Sequence, residues 1–115
     1  MEQYISLYHA FCEFSYAIGN TDLPFNAEDR TKMRKLLEGE FNNHQEMINH
    51  ILKKDCMDIN IAYMWVIQDM AKNKTDLVDE NKARFARVVS NVLISFPGMT
   101  KKGISFAKHF LTELS

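Results

Sequence analysis

An all-α domain, a compact bundle of about six helices, is what this sequence predicts. Three observations carry that expectation. Apolar residues recur at intervals of three and four along most of the chain, which is the period of one helix face. Only 4 Gly and 2 Pro punctuate 115 residues, too few for the many turns of an all-β fold. Hydrophobic residues make up 46% and charged residues 25%, a balance that supports one buried core. The length is that of a single domain, residues 1–115.

The elements follow in order. From about Gln3 to Ile18, Tyr4, Leu7, Tyr8, Phe11, Phe14 and Ile18 form an apolar stripe on a first helix. Gly19–Asn20 is a stop signal, and Pro24 prevents continuation through the loop that follows. Asn26 has the character of an N-cap, with Glu28 in the first turn and Asp29 at the capping-box position. The second helix turns Met33, Leu36 and Leu37 inward and is expected to end by Gly39. Phe41 to Lys54 reads as a third helix, with Met47, Ile48, Ile51 and Leu52 inward. Asp58 caps a fourth that buries Ile61, Ala62, Trp65, Val66 and Met70. Asp69 falls at the edge of that stripe, or is an acid held inside by a partner. Asp76 or Asp79 opens a fifth helix through Phe85, Val88, Val89, Val92, Leu93 and Phe96, which Pro97–Gly98 ends. Thr100 caps a last helix through Ile104, Ala107, Phe110, Leu111 and Leu114.

A weak internal repeat runs through this order. Ala17, Thr21, Asp22 and Leu23 match Ala71, Thr75, Asp76 and Leu77. With the second loop about two residues shorter, Glu28 falls on Glu80 and Met33, Leu36 and Leu37 on Phe85, Val88 and Val89. Each copy is helix, acidic loop, capped amphipathic helix, and two such halves can pack around one core with a pseudo-two-fold axis.

Several function classes lose support. A net charge of −1 leaves no basic excess to neutralise phosphates, so nucleic acid is not an expected partner. The basic stretches Lys32–Arg34–Lys35 and Lys82–Arg84–Arg87 sit at helical spacing and read as solvated faces. No apolar run approaches the ~20 residues of a membrane-crossing helix, and Met1–Glu2–Gln3 does not open a signal peptide. Cys12 and Cys56 form no Cys-x-x-Cys pair, so a reduced, cytoplasmic protein is expected. No Gly-x-Ser-x-Gly elbow, Walker loop or dinucleotide glycine fingerprint occurs, and no enzyme is expected.

The residues that could carry chemistry are carboxylates. Asp22, Glu28 and Asp29 flank one loop; Asp76, Asp79 and Glu80 flank the other. A hard cation, Ca²⁺ or Mg²⁺, takes several converging carboxylate and carbonyl oxygens, and these loops supply the ligand types. They lack the twelve-residue EF-hand pattern. The competing reading is helix capping, since acidic first turns satisfy free amides and complement the dipole. His9, Cys12 and Glu13 could form the edge of a metal site, but they also border the apolar stripe. Met47, Met57, Met64, Met70 and Met99 could line an adaptable groove or simply fill the core.

The segment from Phe11 to Leu37 resembles the TerB-like (tellurite-resistance) family. Its members show an alanine-rich helix, an acidic turn opening with Asp, a hydrophobic residue about three on, and an acidic helix start. Asp22, Phe25, Asn26, Glu28 and Asp29 match in turn, and the segment near Asp76 is similar to the second half of that fold. A Gly follows the turn Asp in the family; Leu23 and Pro24 follow it here. The resemblance implies an all-helical bacterial protein with metal binding at the acidic turns and a role in stress-response complexes, not catalysis. Two readings therefore stand beside each other. One is a TerB-like protein that binds an unknown protein partner with a divalent cation at its acidic loops. The other is a metal-free structural or regulatory interaction domain, binding a helix or a second copy of itself as a homodimer.

Overall fold

A computed structural model describes residues 2–20, 25–75 and 77–115, with side chains from Ser6 onward in the first segment. Six α-helices and one short 3₁₀ turn follow in order: α1 (Glu2–Gly19), α2 (Ala27–Glu40), the turn (Asn42–His44), α3 (Gln45–Lys53), α4 (Ile59–Lys72), α5 (Asp79–Ser95) and α6 (Lys101–Leu114). No strand occurs among the described residues. The radius of gyration is 12.8 Å, close to the ~13 Å of a folded domain this size.

Helix α1 is the axis of the bundle. It packs against α3, α4, α5 and α6, and most broadly along α4. The sequence suggests one apolar stripe, but nearly every side chain from Leu7 to Ile18 is buried. The reason is steric and chemical together. Between the large residues stand Ala10, Cys12, Ser15 and Ala17, which let neighbouring helices close in on every side. Ser15 returns its hydroxyl to the Phe11 carbonyl at 3.0 Å, so its burial leaves no free donor. The centre of the core is aromatic: the Phe11 and Phe85 rings stack with centroids 4.2 Å apart and an interplanar angle of 11°.

Helix α2 begins as its capping residues dictate. The Asp29 N–H donates to the Asn26 Oδ1 at 2.7 Å, and the Asn26 N–H donates to the Asp29 carboxylate at 3.3 Å. Its far end departs from the expected single helix over 41–54. Phe41 leaves helical geometry, buries its ring beside Tyr8, Phe11 and Phe85, and is followed by the 3₁₀ turn. Asn42 and Asn43 are poor helix formers, and the break lets Phe41 reach the core while α3 sets out in a new direction.

In α4 the buried series is Ile59, Ala62, Val66, Asp69 and Met70. Two expectations are corrected by that phase. Ile61 points outward at 58% exposure, and Trp65 is half-buried, not enclosed, with its indole 5.1 Å from the His9 ring. Asp69 lies inside the stripe at 5% exposure, where the Ser6 hydroxyl donates to its carboxylate at 2.5 Å. The partner comes from α1, the helix that packs most broadly along α4.

The helices of the two matching segments pair with one another. α1 lies antiparallel to α4, as the Ser6–Asp69, His9–Trp65 and Phe14–Tyr63 contacts show. α2 lies antiparallel to α5: the Lys32 ammonium donates to the Ser95 carbonyl at one end, and Arg87 grips Glu40 with two 2.9 Å bonds further along. The halves are unequal, because α1 is buried all round while α4 keeps an exposed face.

The Glu40–Arg87 pair gives a pH prediction. The guanidinium hydrogen bond holds the Glu40 carboxyl below its ordinary range. A carboxyl whose pKa is lower folded than unfolded contributes stability above its unfolded pKa and loses it as pH falls through the folded value. Wild type should therefore melt above Glu40→Gln at neutral pH, and the gap should close in strong acid. A gap that is equal at both pH values would show that the charge state of Glu40 does not contribute to stability.

Candidate functional site

The acidic helix starts come first. At α2, Asp29 spends its carboxylate on the Asn26 amide, while Glu28 is exposed. Asp22 lies outside the described residues. At α5, Asp79 forms the first turn and is exposed; Glu80 is exposed and reaches Arg84 one turn on, at 3.4 Å. Asp76 lies outside the described residues. Val78, the N-cap of α5, offers no side-chain acceptor, so Asp79 and Glu80 complement the helix dipole by charge alone.

The antiparallel pairing places these two starts at opposite ends of the α2–α5 pair. Asp29 shares a cleft with Lys32, Ser95 and Phe96 at the C-terminal end of α5. Glu80 is about 22 Å away along that helix, at 1.5 Å per residue. Asp29 and Glu80 therefore cannot hold one ion between them. Among the described residues, no three His, Cys, Asp or Glu side chains converge as a metal site would need.

The His9, Cys12 and Glu13 edge is divided by burial. Cys12 faces the core with no exposure, and desolvation, reinforced by the neighbouring Glu13 charge, pushes its thiol far up, so it stays protonated. Glu13 is itself buried at 4% exposure, 3.4 Å from His9 and 3.8 Å from the Lys54 ammonium. The Lys54 contact ties α1 to the residue that follows α3. Cys56, between α3 and α4, accepts a hydrogen bond at 2.8 Å from the side-chain amide of Asn20, just past the end of α1.

The methionines divide as well. Met70 and Met99 are buried, Met47 and Met57 pack half-buried on the core, and Met64 is exposed. Met64 and Ile61, each 58% exposed, stand one turn apart on the outer face of α4, beside the half-buried Trp65. Reasoning from sequence missed this face by turning Ile61 inward. The signal was available in the phase: Ala62, Val66, Asp69, Met70 and Asn73 already complete a buried series at helical spacing, which leaves 61 and 64 outside.

No protein-family model, curated protein or solved structure matches this chain. No helix among the described residues is long and apolar enough to cross a membrane.

Proposed function

We propose that this chain is a non-enzymatic helical interaction domain that binds a partner protein through the outer face of α4, without a metal. The observation that carries the reading is the pair Ile61 and Met64, two large apolar side chains 58% exposed on one helix face with an aromatic residue at their border. Apolar side chains grouped at helical spacing suit a partner helix laid alongside, and methionine adapts to its shape. The resemblance to the TerB-like proteins supports the same class, a helical protein that works inside a complex.

The double variant Ile61→Ser/Met64→Ser tests this directly. Both residues lie outside the buried core, so its melting temperature should stay close to the wild-type value. A partner that co-purifies with the wild-type chain from its native host should be lost from the variant. Retention of that partner by the variant sinks the reading. The competing cation reading places Ca²⁺ or Mg²⁺ on Asp22 with Glu28 and Asp29, or on Asp76 with Asp79 and Glu80. It requires a cation-induced rise in melting temperature that Asp22→Ala or Asp76→Ala abolishes. Of the four described ligands, Asp29 and Glu80 already have partners, and we expect no rise.

A further inference from the structure

Where the C-terminal end of α4, the connection to α5 and the last turn of α6 meet, the surface opens into a cleft of about 380 Å³. Its lining comes from α4, the connection, α5 and α6. Ile67 and Met70 from α4 and Leu77 from the connection supply apolar wall; Lys74 of the connection, Lys82 of α5 and Glu113 of α6 add charged side chains to the lining. The cleft lies at the opposite end of α4 from Ile61, so it is distinct from the proposed interaction face and does not depend on it.

Three features narrow its ligand. The volume falls at the small end of ligand cavities, which run from about 300 to 1,000 Å³. The apolar wall is made of large aliphatic side chains, which favour a hydrocarbon body over a sugar or a bare ion. Among the described residues neither lysine ammonium has a carboxylate within ion-pair distance, although both stand beside apolar surface. Two such cations in the lining of a cleft with an aliphatic wall complement an anionic head. The Glu113 carboxylate, with the exposed Asp79 and Glu80 in the adjoining first turn of α5, sets a limit on that head. Each added negative charge on the ligand meets repulsion from these groups, so a monoanion is preferred to a phosphate dianion.

We propose that this cleft binds a small amphiphilic carboxylate, with its hydrocarbon body on Ile67, Met70 and Leu77 and its carboxylate between Lys74 and Lys82. A charge-assisted contact to a carboxylate strengthens binding beyond what the apolar wall supplies, and only the anionic ligand gains it. Octanoate, octanol and octylamine share one chain and differ in the head, so they separate the two contributions.

The test is a calorimetric titration of the full chain with each of the three, read together with amide shifts in nuclear magnetic resonance spectra. Octanoate should bind and shift the amides of Ile67, Met70 and Leu77. Octanol and octylamine should bind about tenfold more weakly or less, the scale of one charge-assisted contact. The double variant Lys74→Gln/Lys82→Gln changes only lysines outside the core and should fold normally. It should bind octanoate as weakly as octanol. Four results overturn the proposal: no binding of octanoate at millimolar concentration, equal binding of all three probes, undiminished octanoate binding by the variant, or shifts that map to another surface.

Discussion

Phe11→Ala should lower the unfolding free energy by about 3–5 kcal/mol, the scale of a fully buried phenylalanine removed from a packed core. Phe11 has no exposed surface, and its ring joins four parts of the chain. It stacks on Phe85 of α5 at 4.2 Å, meets Phe41 at 5.8 Å beyond the end of α2, and meets Phe110 of α6 at 5.6 Å. The space left by the ring is bounded by other rings on rigid helices, which cannot all move inward to fill it. The loss therefore includes the cavity as well as the lost burial and ring contacts. For a domain whose whole stability is of order 5–15 kcal/mol, this variant should be close to unfolding. Denaturant unfolding monitored by circular dichroism measures it. Trp65→Ala is the natural comparison, because that larger side chain is only half-buried and should cost less. A Phe11→Ala cost below that of Trp65→Ala would contradict the placement of α1 at the centre.

Gly19→Ala should also destabilise, by about 1–2 kcal/mol, as overpacking of a close contact does. Helix propensity alone points the other way, since alanine is favoured over glycine within a helix by about 1 kcal/mol. Gly19 is the last residue of α1, and among the described residues no glycine has a positive φ. Its value lies in space. A Cβ there would sit 3.0 Å from the Met33 Cε and 3.0 Å from the Phe25 Cζ. Met33 is completely buried, and the Phe25 ring is held against Phe96 with centroids 5.0 Å apart, so neither neighbour can retreat freely. Shortening one neighbour should relieve the clash: Gly19→Ala in a Met33→Val background should cost less than in wild type, a coupling that a double-mutant cycle reads. Stabilisation by Gly19→Ala in the wild-type background would show that propensity, not contact, governs this position.

The helices and their caps were legible in the sequence because their causes are local. Asn26 with Asp29, Asp58 and Thr100 all cap as their spacing predicts, and the apolar series of α5 and α6 face inward as read. The sites were less legible. Of the six acidic residues singled out, Asp22 and Asp76 lie outside the described residues, and Asp29 and Glu80 hold an amide and a guanidinium in place. A carboxylate in a first turn looks the same in sequence whether it caps, pairs or waits for a cation, because all three uses want the same charge in the same place. The exposed pair on α4 was missed for a different reason. Ile61 is apolar and adjacent to Ala62 and was drawn into its stripe, although at 3.6 residues per turn only Ala62 shares a face with Val66 and Met70.

What the sequence determined by itself is the helical class, the number of helices and where most of them begin and end, since these follow from residue spacing within a turn or two of chain. What only the tertiary structure decided is which helix is central, which residues of a stripe are covered, and what each polar side chain meets. α1 became the buried axis because its small residues admit four neighbours, Asp69 became an interior acid because Ser6 stands opposite it, and the two acidic helix starts came to lie apart because α2 and α5 run antiparallel. Each of these depends on contacts between residues tens of positions apart, and the free energy of such a contact is not a property of either segment alone.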